Sequence, residues 1–348
     1  MKTLQIFQAG VHSIPTKIAW ALSDLAEALG RQQLFANQIP QRLMKLRDYA
    51  MVESAISSNR IEGVEVDRKR VGTLIFGHAA VSDRDEEEVR GYRDALKLIH
   101  ADSAGIRLSQ ATIKKLHALS RGHIWDAGKY KAKDSDIIET YGDGRSRVRF
   151  RTVKASETGK AMASLLECWH LGMKEKWMHP MIILSAFNLD FLCIHPFRDG
   201  NGRVSRLLLL LQSYQLGYEV GRYISLERII EQNKERYYEV LENSSHHWHQ
   251  GKHDPWPFIG FVLYVFQNAY REFEERVGKI PPERGVKTKI IEEAIGSHPG
   301  SFRIADIAQA CPGVSLDMIR TVVKNLKKRG LVKCLGRGRS ARWERTRC

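Results

Sequence analysis

The sequence predicts a mainly α-helical protein with one β-hairpin, followed by a small, basic second domain. Three observations carry this reading. Apolar residues recur at helical spacing, as Leu43, Leu46, Ala50 and Ile56 do over 41–58. One stretch breaks the pattern: the arms 136–141 and 146–151 flank Gly142-Asp143-Gly144. The second arm alternates Arg147, Val148, Arg149, Phe150, Arg151, as the strand of a hairpin does. Finally, Lys279-Ile280-Pro281-Pro282-Glu283-Arg284-Gly285 sets two prolines and a glycine between helical segments and reads as a linker.

Taken in order, further helices are predicted at 111–120 and 158–169. Another runs from Pro180, which suits a first helical turn, to 194. After a glycine break, 203–214 reads as a buried helix ended by Gly217, and two more are predicted at 226–243 and 258–275. Past the linker come helices at 286–294 and 304–311, a Pro312-Gly313 turn, and a third helix to 329 with Ser315 as its N-cap. The remainder, 330–343, reads as strand, basic turn, strand. The expected division is a helical region at 1–100, a core at 101–278, a linker at 279–285 and a C-terminal domain at 286–348.

Composition sets bounds. A chain of 348 residues holds two or three domains, and 43% hydrophobic with 27% charged residues is ordinary for a globular protein. The net charge is +15, and from Glu283 onward 15 Lys/Arg face 6 Asp/Glu. That asymmetry points the tail at a phosphate-rich partner. Five cysteines without CxxC spacing argue against a disulfide framework or zinc site and fit a reducing compartment. Residues 1–15 lack the pattern of a signal peptide, and the apolar run 207–211 is far too short to span a membrane. A cytoplasmic protein is expected.

The richest segment is His195-Pro196-Phe197-Arg198-Asp199-Gly200-Asn201-Gly202-Arg203-Val204-Ser205-Arg206. An apolar helix ends at a histidine that can take a proton near neutral pH. Pro196 stops that helix, and Phe197 anchors the loop. Gly200-Asn201-Gly202 brings backbone N–H groups close to an anion, at the positive N-terminus of the next helix. Arg203 and Arg206, three apart, share a face of its first turn and can chelate phosphate. Asp199 supplies a hard oxygen suited to Mg²⁺ between phosphates.

This segment resembles the Fic (Fido) family motif HxFx(D/E)GNGRxxR at every specified position. The resemblance covers about 41–275 and implies a Fic-type helical bundle with the hairpin as a flap. It implies AMP transfer from Mg-ATP to a Ser, Thr or Tyr hydroxyl of a protein, possibly of the enzyme itself. In that scheme His195 is the general base and Asp199 holds the metal. Gly200, Asn201, Gly202 and Arg203 cradle the α- and β-phosphates, and Arg206 takes the γ-phosphate. Gly-Asn-Gly-Arg stands where the phosphate-transferring Doc branch has Ala-Asn-Lys-Arg, which favours AMP transfer. Ser58-Asn59-Arg60-Ile61-Glu62-Gly63 resembles the family's inhibitory motif (S/T)xxxE(G/N), in the class with an N-terminal inhibitory helix. By that analogy Glu62 pairs with Arg206 and blocks productive ATP placement, with Ser58 and Gly63 framing it. The same glutamate could instead position a water for AMP removal.

The segment 229–241 resembles the helix lining the family's nucleotide pocket, and makes Asn233, Tyr237 and Tyr238 candidates for adenine and ribose contacts. The C-terminal pattern resembles a winged helix-turn-helix domain, with Arg320, Lys324, Lys327, Lys328, Arg337 and Arg339 as DNA contacts, mostly to phosphate. A homodimer is implied by the family alone. The competing reading is a DNA-binding transcriptional regulator whose Fic domain senses nucleotide or removes AMP.

Overall fold

The computed structural model describes residues 1–10, 13–38, 40–67, 70, 74, 83–140, 144–278, 286–298, 300–311, 314–336 and 341–346. The linker, most of the hairpin turn, Pro312-Gly313, Arg337 and Arg339 lie outside the described residues. The chain forms two compact units, Met1–Val277 and Gly278–Cys348.

In the first unit, helices α1 (Lys2–Gln8), α2 (Thr16–Gln38), α3 (Pro40–Ile61), α4 (Arg84–Asp102) and α5 (Gln110–Arg121) precede a hairpin of β1 (Ile137–Thr140) and β2 (Ser146–Phe150). There follow α6 (Ala155–Glu175), α7 (Pro180–Ile194), α8 (Asn201–Gln215), α9 (Leu226–Gln232), α10 (Lys234–Ser245) and α11 (Trp256–Gly278). Helix α7 is buried on every side. A helix apolar all round belongs at the centre of a bundle, and α1, α6, α8 and α10 pack on it. The helix predicted at 226–243 is two helices, because the backbone leaves helical geometry at Asn233 (φ −119°, ψ 33°).

The polar side chains of α7 are all satisfied. Asn188 Nδ2 donates to Gln212 Oε1 (3.1 Å), and its Oδ1 accepts from Ser205 Oγ (3.0 Å), which ties α7 to α8. Asp190, fully buried, accepts from the backbone N–H of Thr3 (2.9 Å) and Leu4 (3.1 Å) and from Trp248 Nε1 (2.6 Å). One carboxylate thus satisfies the N-terminus of α1 and anchors a buried indole. Asp190→Ala strands three buried donors, so the unfolding free energy, measured in urea, is expected to fall by about 3 kcal/mol or more.

The hairpin pairs Ile138 with Val148 and Thr140 with Ser146, with a register shift at Ile137/Ile138. It is fastened to α10 through Glu242, which lies 2.8 Å from Arg147 Nη2 and 3.2 Å from Arg149 Nε.

The second unit holds α12 (Val286–Ser297), α13 (Ile304–Ala310) and α14 (Leu316–Lys328), then β3 (Val332–Cys334) antiparallel to β4 (Trp343–Arg345). Ser315 Oγ accepts from Met318 N (3.3 Å) as the N-cap of α14. The core of this unit gathers Ile291, Phe302, Ile307, Ile319, Val323 and Val332.

Candidate active site

The site is built where α7 hands over to α8. His195 terminates α7 in the left-handed region (φ 52°), and Pro196 prevents the helix from continuing. Phe197 is fully buried, with its ring stacked on His117 at 3.8 Å and 3°. The Asn201 side chain closes the loop: it accepts from Phe197 N (2.9 Å) and donates to Phe197 O (2.8 Å). Both glycines leave space that a Cβ would take from a neighbouring charged side chain. Gly200 has φ 80°, and a Cβ there would lie 2.9 Å from Arg121 Cδ; a Cβ on Gly202 would lie 2.2 Å from Glu62 Oε1.

The two motif arginines are buried and held by carboxylates from outside the motif. Arg206 donates from Nε to Ser58 Oγ (2.8 Å), and from Nη2 to Ser58 O (2.8 Å) and Glu62 Oε1 (2.8 Å). Burial works against its charge, but Glu62 beside it outweighs that and raises its pKa. Arg203 reaches Glu88 and Asn59 on α4 and α3. Arg121, at the end of α5, reaches Glu88 Oε1 (2.6 Å) and Asp199 Oδ2 (3.0 Å). Among the described residues, Arg121 Nη2, Arg203 Nε and Arg206 Nη1 are buried without a hydrogen-bond acceptor. A site for a polyanion leaves donors in this condition.

Asp199 is half-exposed; its Oδ1 accepts from Gly200 N (2.6 Å) and its carbonyl meets His117 Nε2 (3.0 Å). Burial raises its pKa, yet Arg121, Arg203 and the Gly200 N–H overcome this, and the carboxyl titrates below its ordinary value. One ionised, accessible carboxylate beside buried guanidiniums is the share a protein usually gives to a Mg²⁺ site completed by phosphates.

His195 faces a cavity of about 220 Å³ lined by Glu62, Gly202, Leu192, Cys193, Tyr237, Tyr238 and, from the hairpin, Ile137, Arg149 and Phe150. Burial, aided by the Lys131 ammonium, lowers the His195 pKa to about 4, against the pull of Glu62 and Asp199. The imidazole is therefore neutral, able to accept a proton, at physiological pH. Burial also lowers His117 to about 4 and His100 to about 3. These histidines must stay neutral in the folded state but take protons near pH 6.5 when unfolded. Between pH 6.5 and 4 the unfolded chain therefore binds more protons, and stability falls as pH drops. The slope is expected to reach about 1.4 kcal/mol per pH unit for each histidine, measured by urea unfolding at stepped pH.

The candidates named from the sequence divide in space. Ser58, Glu62, His195, Asp199, Gly200, Asn201, Gly202, Arg203 and Arg206 meet at one locus, while Tyr237 and Tyr238 line the cavity next to it. Gly63 (φ 83°) ends the turn after α3. Asn233 is not in the cavity wall: its Nδ2 donates to Ile229 O (2.8 Å) and its Oδ1 accepts from Tyr264 OH (3.5 Å). Arg320, Lys324, Lys327 and Lys328 are exposed on α14 in the second unit. Sequence reasoning passed over Glu88, His117, Arg121 and Lys131. Lys131 is buried, donating from its backbone N to Pro196 O (2.9 Å) and from Nζ to Thr152 Oγ1 (2.5 Å). The only sequence signal for Glu88 was the acidic run after Asp83, which caps α4.

Residues 107–213 match the Fic/DOC family, and the chain is distantly similar to proteins named protein adenylyltransferase Fic. It is 24% identical over 214 residues to the protein adenylyltransferase Fic of Nematostella vectensis, covering 59% of this chain and 44% of that one. With the protein of the same name from Aedes aegypti it shares 24% over 228 residues, 63% of this chain and 41% of that one. The match thus spans less than half of either relative. Among solved structures, a Fic family protein from Desulfovibrio desulfuricans G20 superposes with a TM-score of 0.62 at 22% identity, covering 96% of this chain and 97% of that one. A Fic domain containing signaling protein from Bacteroides thetaiotaomicron gives 0.61 at 18%, covering 76% and 97%. The fold is the Fic fold, mainly helical with a small hairpin.

Proposed function

We propose that the protein transfers AMP from Mg-ATP to a Ser, Thr or Tyr hydroxyl of a protein, itself included, and that Glu62 restrains it by holding Arg206. The observation that carries this is one loop joining a neutral histidine, open to a cavity, to buried guanidiniums with unfilled N–H groups. His195 takes the proton from the target hydroxyl as its oxygen bonds the α-phosphorus. The bond from that phosphorus to the β-bridging oxygen breaks, and pyrophosphate leaves. Gly200, Gly202 and Arg203 stabilise the α- and β-phosphate charge, and Arg206 takes the γ-phosphate once Glu62 lets go. Asn201, which the family motif places in the cradle, shapes it through its bonds to Phe197. Asp199 would hold Mg²⁺, which neutralises phosphate charge when bound. Tyr237 and Tyr238 offer aromatic faces to the adenine.

Incubation of Glu62→Gly with Mg-ATP and peptide mass spectrometry tests the reaction. AMP on a hydroxyl side chain is expected; phosphate there, or no adduct on this chain or in added lysate, would refute it.

The three helices and hairpin of the second unit, with four exposed basic residues on α14, support reading it as a winged helix-turn-helix that binds DNA. In this reading Arg320, Lys324, Lys327 and Lys328 contact phosphate, so affinity of the full chain for duplex DNA should fall steeply with salt. An affinity that salt leaves unchanged would sink it.

A further inference from the structure

Asp199 is surrounded by three arginines, and they are not equivalent. Its Oδ2 lies 3.0 Å from Arg121 Nη1 and 3.9 Å from Arg84 Nη2, and its Oδ1 lies 3.8 Å from Arg203 Nη2. The Arg84 side chain is 61% exposed, whereas that of Arg121 is 1% exposed. Arg121 is also fixed at both ends. Its stem packs where a Gly200 Cβ would sit, and its Nη1 donates to Glu88 Oε1 at 2.6 Å. Glu88 is itself 3% exposed and spends its other oxygen on Arg203. Asp199, at 52% exposure, is the accessible partner of this pair; Arg121 is a charge locked in place.

A locked cation at hydrogen-bond distance from a carboxylate competes with any other cation for that carboxylate. We propose that Arg121, seated on Glu88, is the resident counter-ion of Asp199, and that it keeps the site from taking a divalent cation until nucleotide phosphates help to hold it. Arg121 is then a positioning residue that sets the metal demand of the site. When Asp199 turns toward a metal, Arg121 keeps its bond to Glu88, and its Nη2, already without an acceptor, is free for a phosphate oxygen. This inference rests on reading Asp199 as the metal ligand.

The test uses full-length protein in the Glu62→Gly background, with free Mn²⁺ followed by electron paramagnetic resonance. Titrations are run with Mn²⁺ alone and with Mn²⁺ plus α,β-methylene-ATP. Arg121→Met keeps the aliphatic stem beside Gly200 and removes the charge. It should tighten Mn²⁺ alone by about fivefold or more, the effect of one unit charge at about 4 Å even under full water screening. The advantage should shrink with nucleotide present, vanish in Arg121→Met/Asp199→Asn, and be absent in Arg121→Lys. Damage to the fold would weaken binding, so tightening separates the two. Unchanged or weaker binding of Mn²⁺ alone in Arg121→Met, with Asp199-dependent binding intact in the nucleotide-bound parent, would overturn this proposal and leave the proposed reaction standing. A parent that shows no Asp199-dependent Mn²⁺ binding even with α,β-methylene-ATP present would overturn the metal assignment and this proposal together.

Discussion

Glu62→Gly is expected to raise AMP transfer by about 10- to 100-fold. The carboxylate lies 2.8 Å from Arg206 Nη2 and is largely shielded, so the pair is a charge-assisted bond of about 1.5 to 3 kcal/mol that a γ-phosphate must displace. Each 1.4 kcal/mol of relief is a factor of about ten in the competent population. Removing the carboxylate should not loosen the arm it frees, because Ser58 Oγ and Ser58 O still accept from Arg206. Nor does glycine interrupt a helix, since Glu62 follows the last residue of α3. The variant should also melt earlier than the parent without nucleotide, because Arg206 stays buried without its anion, and recover with ATP. Initial rates and melting curves on both proteins check the pair of effects.

His195→Ala in the Glu62→Gly background is expected to lower the rate by a factor of about 10² to 10⁴ while nucleotide affinity is kept. The imidazole stands at the end of α7, whereas the proposed phosphate contacts come from α8 and its preceding loop. Truncation therefore removes the base without touching the cradle. With His195 near 4, the rate should stay flat from about pH 5.5 upward and fall only as the pH approaches 4. Stopped assays across that range, with nucleotide affinity measured in parallel, separate a lost base from a lost binding site. A rate that fell in step with nucleotide affinity would mark His195 as a binding group instead.

Much of this site was legible because its parts are contiguous in sequence. His195, Asp199, the glycines and both arginines fall within the turn after α7 and the first two turns of α8, so spacing alone brings them together. Glu62 could be paired with Arg206 only through the resemblance, since 144 residues separate them. The supporting layer was out of reach for a physical reason. Glu88 directly follows an acidic first turn (Asp85, Glu86, Glu87) and reads as part of ordinary N-terminal helix chemistry, and Arg121 sits in a last turn where a cation is favoured anyway. Nothing local shows that the two meet in the core. The long helix expected at 226–243 divides at Asn233 because that residue leaves helical geometry while its side chain bonds back to Ile229 O, a choice periodicity does not reveal. Helices α2 and α4 were passed over although each carries its own apolar positions, Ile18 and Leu25 in one and Tyr92, Leu96 and Ile99 in the other.

The most direct test of AMP transfer under Glu62 control is label incorporation into protein from ATP labelled at either the α- or the γ-phosphorus. Wild type, Glu62→Gly and Glu62→Gly/His195→Ala are compared in Mg²⁺. The account predicts α-label that is faint in wild type, strong in Glu62→Gly and absent in the double variant, with no γ-label in any. Incorporation of γ-label, or α-label that is equal in all three proteins, would contradict it.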